Sequence, residues 1–195
     1  MCTQVQHAQS CQAQRGASLI MVMLILVVVS LLGVGGAQIA IMSERGARND
    51  RDQQVAWQAA EAALIDAEID MIDPTLARKV LFNGKTQSAF VAGCGTSGTS
   101  VGLCDLTVTG KPAWLTADFT ATSSAATTQF GAFTGRTFAA GGVGIQPAKA
   151  PRYIFELVPD PIGDKADPAY LYRVTAMGFG PRADIQAVLQ MLYRI

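Results

Sequence analysis

The sequence predicts an α+β protein. A long N-terminal α-helix, transmembrane over its first half, packs on a small antiparallel β-sheet, and long Gly/Ser/Thr-rich loops join the two. Three observations carry this reading. No residue from Ala17 to Ser43 bears a charge. Behind that segment an apolar stripe of helical period continues without a proline as far as Pro74. From Pro151 onward, three runs rich in β-formers alternate between apolar and polar residues.

The first element is the uncharged segment, Ala17 to about Met42. As a helix it extends roughly 39 Å, enough to cross a ~30 Å hydrocarbon core. A secretory signal has a shorter apolar run and a small-residue cleavage site after it. This segment is longer and leads straight into a helical pattern. Between Leu19 and Leu32 it has no polar face, which also disfavours a soluble core helix. Gly33, Gly35 and Gly36 are its weak points, each costing about 1 kcal/mol relative to alanine. Either they mark a kink or a locally melted stretch, or the pairs Gly33/Ala37 and Gly36/Ala40 permit close helix contact in a membrane.

The second element continues the first. In SERGARNDRDQQVAWQAAEAALIDAEIDMID, the residues Trp57, Ala60, Leu64, Ala67 and Met71 recur at spacings of three and four, forming one dry stripe on a polar helix. Ala59, Ala60, Ala62 and Ala63 are strong helix formers. Glu61, Asp66, Glu68 and Asp70 are expected on the wet face, with Glu61 singled out beside the stripe. Asp73-Pro74 supplies the stop. One helix of about 57 residues, roughly 85 Å long, is expected from Ala17 to Asp73.

The stretch 75–150 lacks periodicity and is dominated by Gly, Ser, Thr and Ala. It reads as loops with a short helix and a strand or two, anchored by Trp114, Phe119, Phe130, Phe133 and Phe138. Cys94 and Cys104 share the loop GCGTSGTSVGLC, whose spacing fits neither a CxxC redox motif nor a zinc knuckle. In an oxidising compartment a Cys94–Cys104 disulfide would stabilise the fold by roughly 3 kcal/mol. Otherwise they are two reduced loop cysteines.

The stretch 151–195 holds the strands RYIFELV, YLYRVTAMGFG and DIQAVLQMLYRI. In the last, Ile185, Ala187, Leu189, Met191 and Tyr193 share a face, and GFGPRAD before it carries turn chemistry. Short connections imply an antiparallel meander, and the stripe of the long helix is available to cover one face.

Composition narrows the chemistry. The 195-residue chain has zero net charge and a sequence pI near 6.6, so no basic surface points to nucleic acid. His7 is its sole histidine, and it lies in the polar N-terminal stretch. Without a histidine the rest of the chain has no Ser-His-Asp or Cys-His arrangement and no histidine-ligated metal. No carboxylate pair stands out either, so a non-enzyme without a cofactor is expected. Gly93, Gly95 and Gly98 match GxGxxG, but no strand leads in and no helix follows, as a dinucleotide site requires. Asp160, Asp164 and Asp167 offer oxygen ligands to a calcium ion, though their spacing is not that of an EF-hand and their Pro/Gly context is that of a solvated turn.

Several segments together resemble a family. RGASLIMVMLILVVVSLLGV, VAWQAAEAALIDAE, PRYIFELV and YLYRVTAMGFG are similar, in order, to segments of the type IV pilin-like superfamily, and within it to the PilX-type minor pilins. The resemblance covers both ends of the chain and leaves the middle uncovered. It implies a cleaved leader, residues 1–16, carrying Cys2, His7 and Cys11. It also implies scission by a prepilin peptidase after Gly16, with Ala17 as the new, methylated N-terminus. Gly16 has no Cβ to obstruct a protease cleft, and Arg15 suits the anionic cytoplasmic leaflet. The parts implied are then a transmembrane half, 17–43, a periplasmic half of the helix, 44–74, and a globular head, 75–195.

Arg45, Arg48 and Arg51, counted literally, would place the head in the cytoplasm. The interleaved Glu44, Asp50 and Asp52 and the resemblance place it in the periplasm. The resemblance further implies assembly with other minor pilins, the major pilin and a tip adhesin, in the inner membrane and then in the pilus. Most pilins carry glutamate at the fifth mature position; here it is Met21. The expectation is a minor pilin that primes pilus assembly in a membrane or tip initiation complex. Two alternatives stand beside it: a pseudopilin of a type II secretion system, and a single-span membrane protein with a periplasmic binding domain.

Overall fold

Helix α1 runs from Ala17 to Ile72, in a computed structural model that describes residues 17–142, 144–162, 166 and 169–195, the side chain of Ala17 excepted. It passes through Gly33, Gly35 and Gly36 without a break, so that stretch is not melted. The end falls where Asp73-Pro74 places it. Asp73 Oδ1 accepts from Thr75 N at 2.8 Å and from Thr75 Oγ1 at 2.7 Å, closing a turn that replaces helical hydrogen bonding. By its internal packing the chain divides into two units, one up to Ala47 and one from Arg48 to Ile195.

The second unit is a helix on a sheet. After α1 come β1 (Leu103–Cys104), α2 (Ala113–Thr116), β2 (Thr128–Gln129), β3 (Arg152–Pro159), β4 (Tyr170–Phe179) and β5 (Gln186–Tyr193). The order is β1-β3-β4-β5, with β2 also on β3. The last three form the expected antiparallel meander, in register Arg152↔Met177 and Phe179↔Gln186. The sheet as a whole is mixed rather than antiparallel, because β1 runs parallel to β3, with Leu103 opposite Phe155. Alternation did not signal β1 or β2, each only two residues long. Gly102 sets the approach of β1: it has φ +72°, and a Cβ there would overlap the Thr128 hydroxyl and crowd its backbone nitrogen.

The dry flank of α1 differs from the predicted stripe. Ala56, Ala59, Ala60, Ala63, Ala67 and Met71 are buried, but Trp57 is 49% exposed. Asp66 and Asp70, expected on the wet face, are fully buried. The reason is close packing. Gly178 of β4 lies so near the helix that a Cβ on it would overlap the carbonyl oxygen of Ala56 and the nitrogen of Ala60. Only small side chains fit there, and the indole of Trp57 turns outward.

Tyr153, Phe155 and Leu157 of β3 and Tyr172, Val174 and Ala176 of β4 meet this flank in the main core. Each fully buried large apolar side chain contributes ~1.5–3 kcal/mol. Phe82 and Phe90, which the sequence reading passed over, join them; Phe82 lies 4.7 Å from the Phe155 ring and 5.3 Å from that of Tyr172. The opposite face of β3 is covered too, by Cys94, Cys104, Ala113 and Phe119 around Ile154. Thus β3 is buried on both faces where its alternation had promised one. Of the proposed anchors, Phe119 and Phe130 are buried, while Trp114, Phe133 and Phe138 are only half-buried. In β5 the burial alternates as expected, with Ala187 buried and Val188 and Leu192 exposed.

Candidate functional site: the bare apolar helix and the ionic and edge features of the head

In the first unit the helix carries its apolar side chains on every side. The large ones from Leu19 to Met42 are exposed, from 53% at Val22 to 72% at Met42. Its most apolar stretch has a mean hydropathy of 2.8 and is not buried among the described residues. A core helix of a soluble protein is covered by its own chain. This one needs lipid or other helices to remove it from water. The hydroxyl of Ser30 donates to Leu26 O at 2.7 Å, so that polar group is satisfied within the helix. At Gly33, Gly35 and Gly36 a Cβ would meet open space among the described residues. Met21 is 66% exposed. Cys2, His7, Cys11 and Gly16 lie outside the described residues; Ala17 opens α1.

In the head, two buried carboxylates on α1 organise the loops. Asp66 accepts from Gly131 N at 2.8 Å, from Thr134 Oγ1 at 2.6 Å and from Arg136 at 3.5 Å. It pins the 130–138 loop to the helix. One turn on, Asp70 pairs with Arg78 at 3.2 Å, both side chains fully buried, and accepts from the Tyr153 hydroxyl at 3.1 Å. The Arg78 guanidinium lies 4.0 Å from the Phe133 ring centroid, a cation–π contact that replaces part of its lost hydration.

Compensation is incomplete. Asp70 Oδ1 and Arg78 Nε and Nη2 have no hydrogen-bond partner. Burial accordingly pushes the Asp70 carboxyl up to about 6, against the pull of Arg78 and Tyr153, and lowers the Arg78 guanidinium. Both directions express the cost of holding charge away from water.

A third buried carboxylate, Glu156, is gripped bidentately by Arg173, at 3.0 Å through both Nε and Nη2. Arg152 donates instead to the Thr127 hydroxyl and carbonyl, each at 2.6 Å, which ties the loop ahead of β2 to β3.

Cys94 and Cys104 are joined in a disulfide. It closes the Gly/Ser/Thr-rich loop and lies in the cluster over Ile154. Gly93, Gly95 and Gly98 belong to this loop, ahead of a single 3₁₀ turn at Gly98–Ser100, a context unlike that of a phosphate-binding βα turn. Asp160 accepts from Ile162 N at 3.0 Å and from Arg194 at 2.7 Å, in a turn; Asp164 and Asp167 lie outside the described residues. Among the described residues no group of His, Cys, Asp and Glu is placed to hold a metal ion. Glu61 is exposed and accepts from the Trp57 indole at 2.9 Å.

The sequence reading missed Asp66, Asp70, Arg78, Glu156 and Gly178. A signal for the first two existed. They are four apart and adjoin Ala63, Ala67 and Met71 on the helical wheel, so a stripe centred on the alanines would have included them.

An entirely bare apolar helix, continued by one packed on a meander, defines an anchored assembly subunit of pilin type. Family models match both ends of the chain: PilX N-terminal over residues 15–64, and type IV pilus assembly protein PilX C-terminal over residues 100–195. The chain belongs to this family, as a PilX-type minor pilin of the type IV pilus. No curated protein and no solved structure matches it.

Proposed function

We propose that this minor pilin primes pilus assembly from the inner membrane, in a complex with other minor pilins that then occupies the filament tip. The observation that carries the reading is the absence of a carboxylate at Met21, on a helix uncharged from Ala17 to Ser43. In most pilins a glutamate at that position neutralises the N-terminal amine of a neighbouring subunit. A carboxylate in hydrocarbon is costly unless it is paired. This helix avoids that cost and forgoes the ion pair that would add it beneath an existing subunit. It is suited to start a filament and poorly suited to extend one.

The role is non-enzymatic and needs no cofactor. The major pilin, a tip adhesin and the prepilin peptidase are its proposed partners, with cleavage after Gly16 leaving Ala17 first. The head lies in the periplasm before assembly, which suits the Cys94–Cys104 disulfide. Counting filaments tests the reading. Loss of the chain should reduce the number of pili per cell and leave the length of the survivors unchanged. A Met21→Glu chain should enter the shaft at a frequency the native chain does not reach. Shorter pili in undiminished number, or equal shaft incorporation of the two chains, would overturn it.

A further inference from the structure

The outer edge of the sheet is β5, and among the described residues no strand pairs with its free side. Backbone accounting fixes which groups that edge presents. Gly180 N donates to Ile185 O at 2.8 Å, and Asp160 N to Ala169 O at 2.9 Å. With the registers of β3–β4 and β4–β5, both bonds give the same parity. The amides and carbonyls of Ala187, Leu189, Met191 and Tyr193 face β4, and those of Gln186, Val188, Gln190 and Leu192 point outward. Gln53 on α1 covers Gln186 O at 3.3 Å. The outward groups of Val188, Gln190 and Leu192 show no such cover among the described residues.

Natural sheets blunt a free edge with charge, proline or a bulge. From Gln186 to Tyr193 the sequence QAVLQMLY has neither charge nor proline, and its ladder with β4 runs without a bulge. Val188 and Leu192 are 44% and 58% exposed. Beside Leu192 a shallow cleft opens between Val158, Arg173, Gln190 and Met191. Its one charge, Arg173, is already satisfied by Glu156, so the cleft accepts an apolar group.

We propose that β5 receives a sixth strand from a partner chain: an extended, uncharged segment of about five residues, with a long apolar side chain opposite Leu192 that reaches the cleft. The unpaired backbone groups specify a strand rather than a helix or a lipid surface. A second copy of this chain fits less well. Self-pairing through all three outward residues sets Gln190 against Gln190 and Val188 opposite Leu192, and valine is too short to reach over leucine. Only the partner's membership of the pilus rests on the function proposed above; the chemistry of the edge stands without it.

The test uses the full chain in its own membrane, with a photoreactive side chain replacing Val188 in one variant and Leu192 in another. Adducts from the two positions should map to one segment of another pilus component, offset by about four residues, as one strand in one register requires. Gln190→Pro removes an outward amide and spares the β4 ladder. It should cut the adduct at least tenfold, as should the double variant Val188→Lys/Leu192→Lys, with the disulfide and unfolding midpoint retained. Adducts on a second copy of the chain, adducts scattered over many segments, no adduct, or adducts that persist in both edge variants would each overturn the proposal. An in-register adduct on a protein outside the pilus would support the added strand and overturn the initiation role.

Discussion

At the residue scale, the Asp70–Arg78 pair carries a desolvation cost that its contacts do not fully return. Two charges sit in full burial with three polar atoms lacking partners. Removing one member of such a pair costs ~3–5 kcal/mol, because the other is left buried alone. Arg78→Met should therefore lower the unfolding midpoint strongly at pH 8. The pH dependence has a definite sign. The folded value of Asp70, about 6, lies above the ~3.9 of an unfolded aspartate. Folding thus favours the protonated acid. Stability from this group is fully present below pH ~4 and lost as pH rises through about 6. In Arg78→Met the pull toward the anion is gone, so the loss extends to higher pH and the variant should regain stability on acidification more than the native chain does. Denaturant titrations of both chains from pH 4 to 8 measure this; parallel curves would show that the pair does not titrate with folding.

At the element scale, the contact between α1 and β4 depends on having no side chain in between. Gly178→Ala sets a Cβ against two backbone atoms of the helix, which cannot rotate away as a side chain can. The expected penalty is that of overpacking, ~1–3 kcal/mol, read as a lower thermal midpoint with little change in helix content. Gly178 was legible only as part of turn-like GFG, since sequence shows that a glycine is present and not what lies opposite it. The same holds for Trp57, whose size and spacing placed it in the stripe although the alanine groove has no room for it. Long elements were legible because period and stop signals repeat over many residues: α1, β3, β4 and β5 all fall where alternation, Pro74 and the GFGPRAD turn put them. The two-residue strands β1 and β2 have no period to read.

Between these lies the disulfide, foreseeable from loop composition once export was assumed. Replacing both Cys94 and Cys104 by serine opens a ring whose ends are 10 residues apart in sequence and should cost about 3 kcal/mol in the loop-entropy model. The loss should match that caused by reducing the native chain, as compared by thermal unfolding with and without a thiol reductant.

At the scale of the whole molecule, the chain solves two burial problems by different means. From Arg48 onward the chain buries a core of its own, and the buried carboxylates Asp66, Asp70 and Glu156 are paired with arginines beneath loops tied down by Asp66, Arg152 and the disulfide. Up to Ala47 the apolar side chains stay exposed among the described residues, so the stability of this helix in water is set from outside, by lipid or by neighbouring subunits. That difference was legible in composition alone, because an uncharged stretch with no polar face has no orientation that suits water. A lysine near the centre of a spanning helix costs ~2.5–3.5 kcal/mol. Leu24→Lys with Val28→Lys, one turn apart on one face, should therefore approach 5–7 kcal/mol, enough to shift the chain from a form that resists alkaline extraction of membranes to one that is released. Leu24→Ala/Val28→Ala shortens the same side chains without adding charge and should stay with the membrane. Release of the alanine pair as well would mean that side-chain packing, rather than transfer from water to lipid, holds the helix in place.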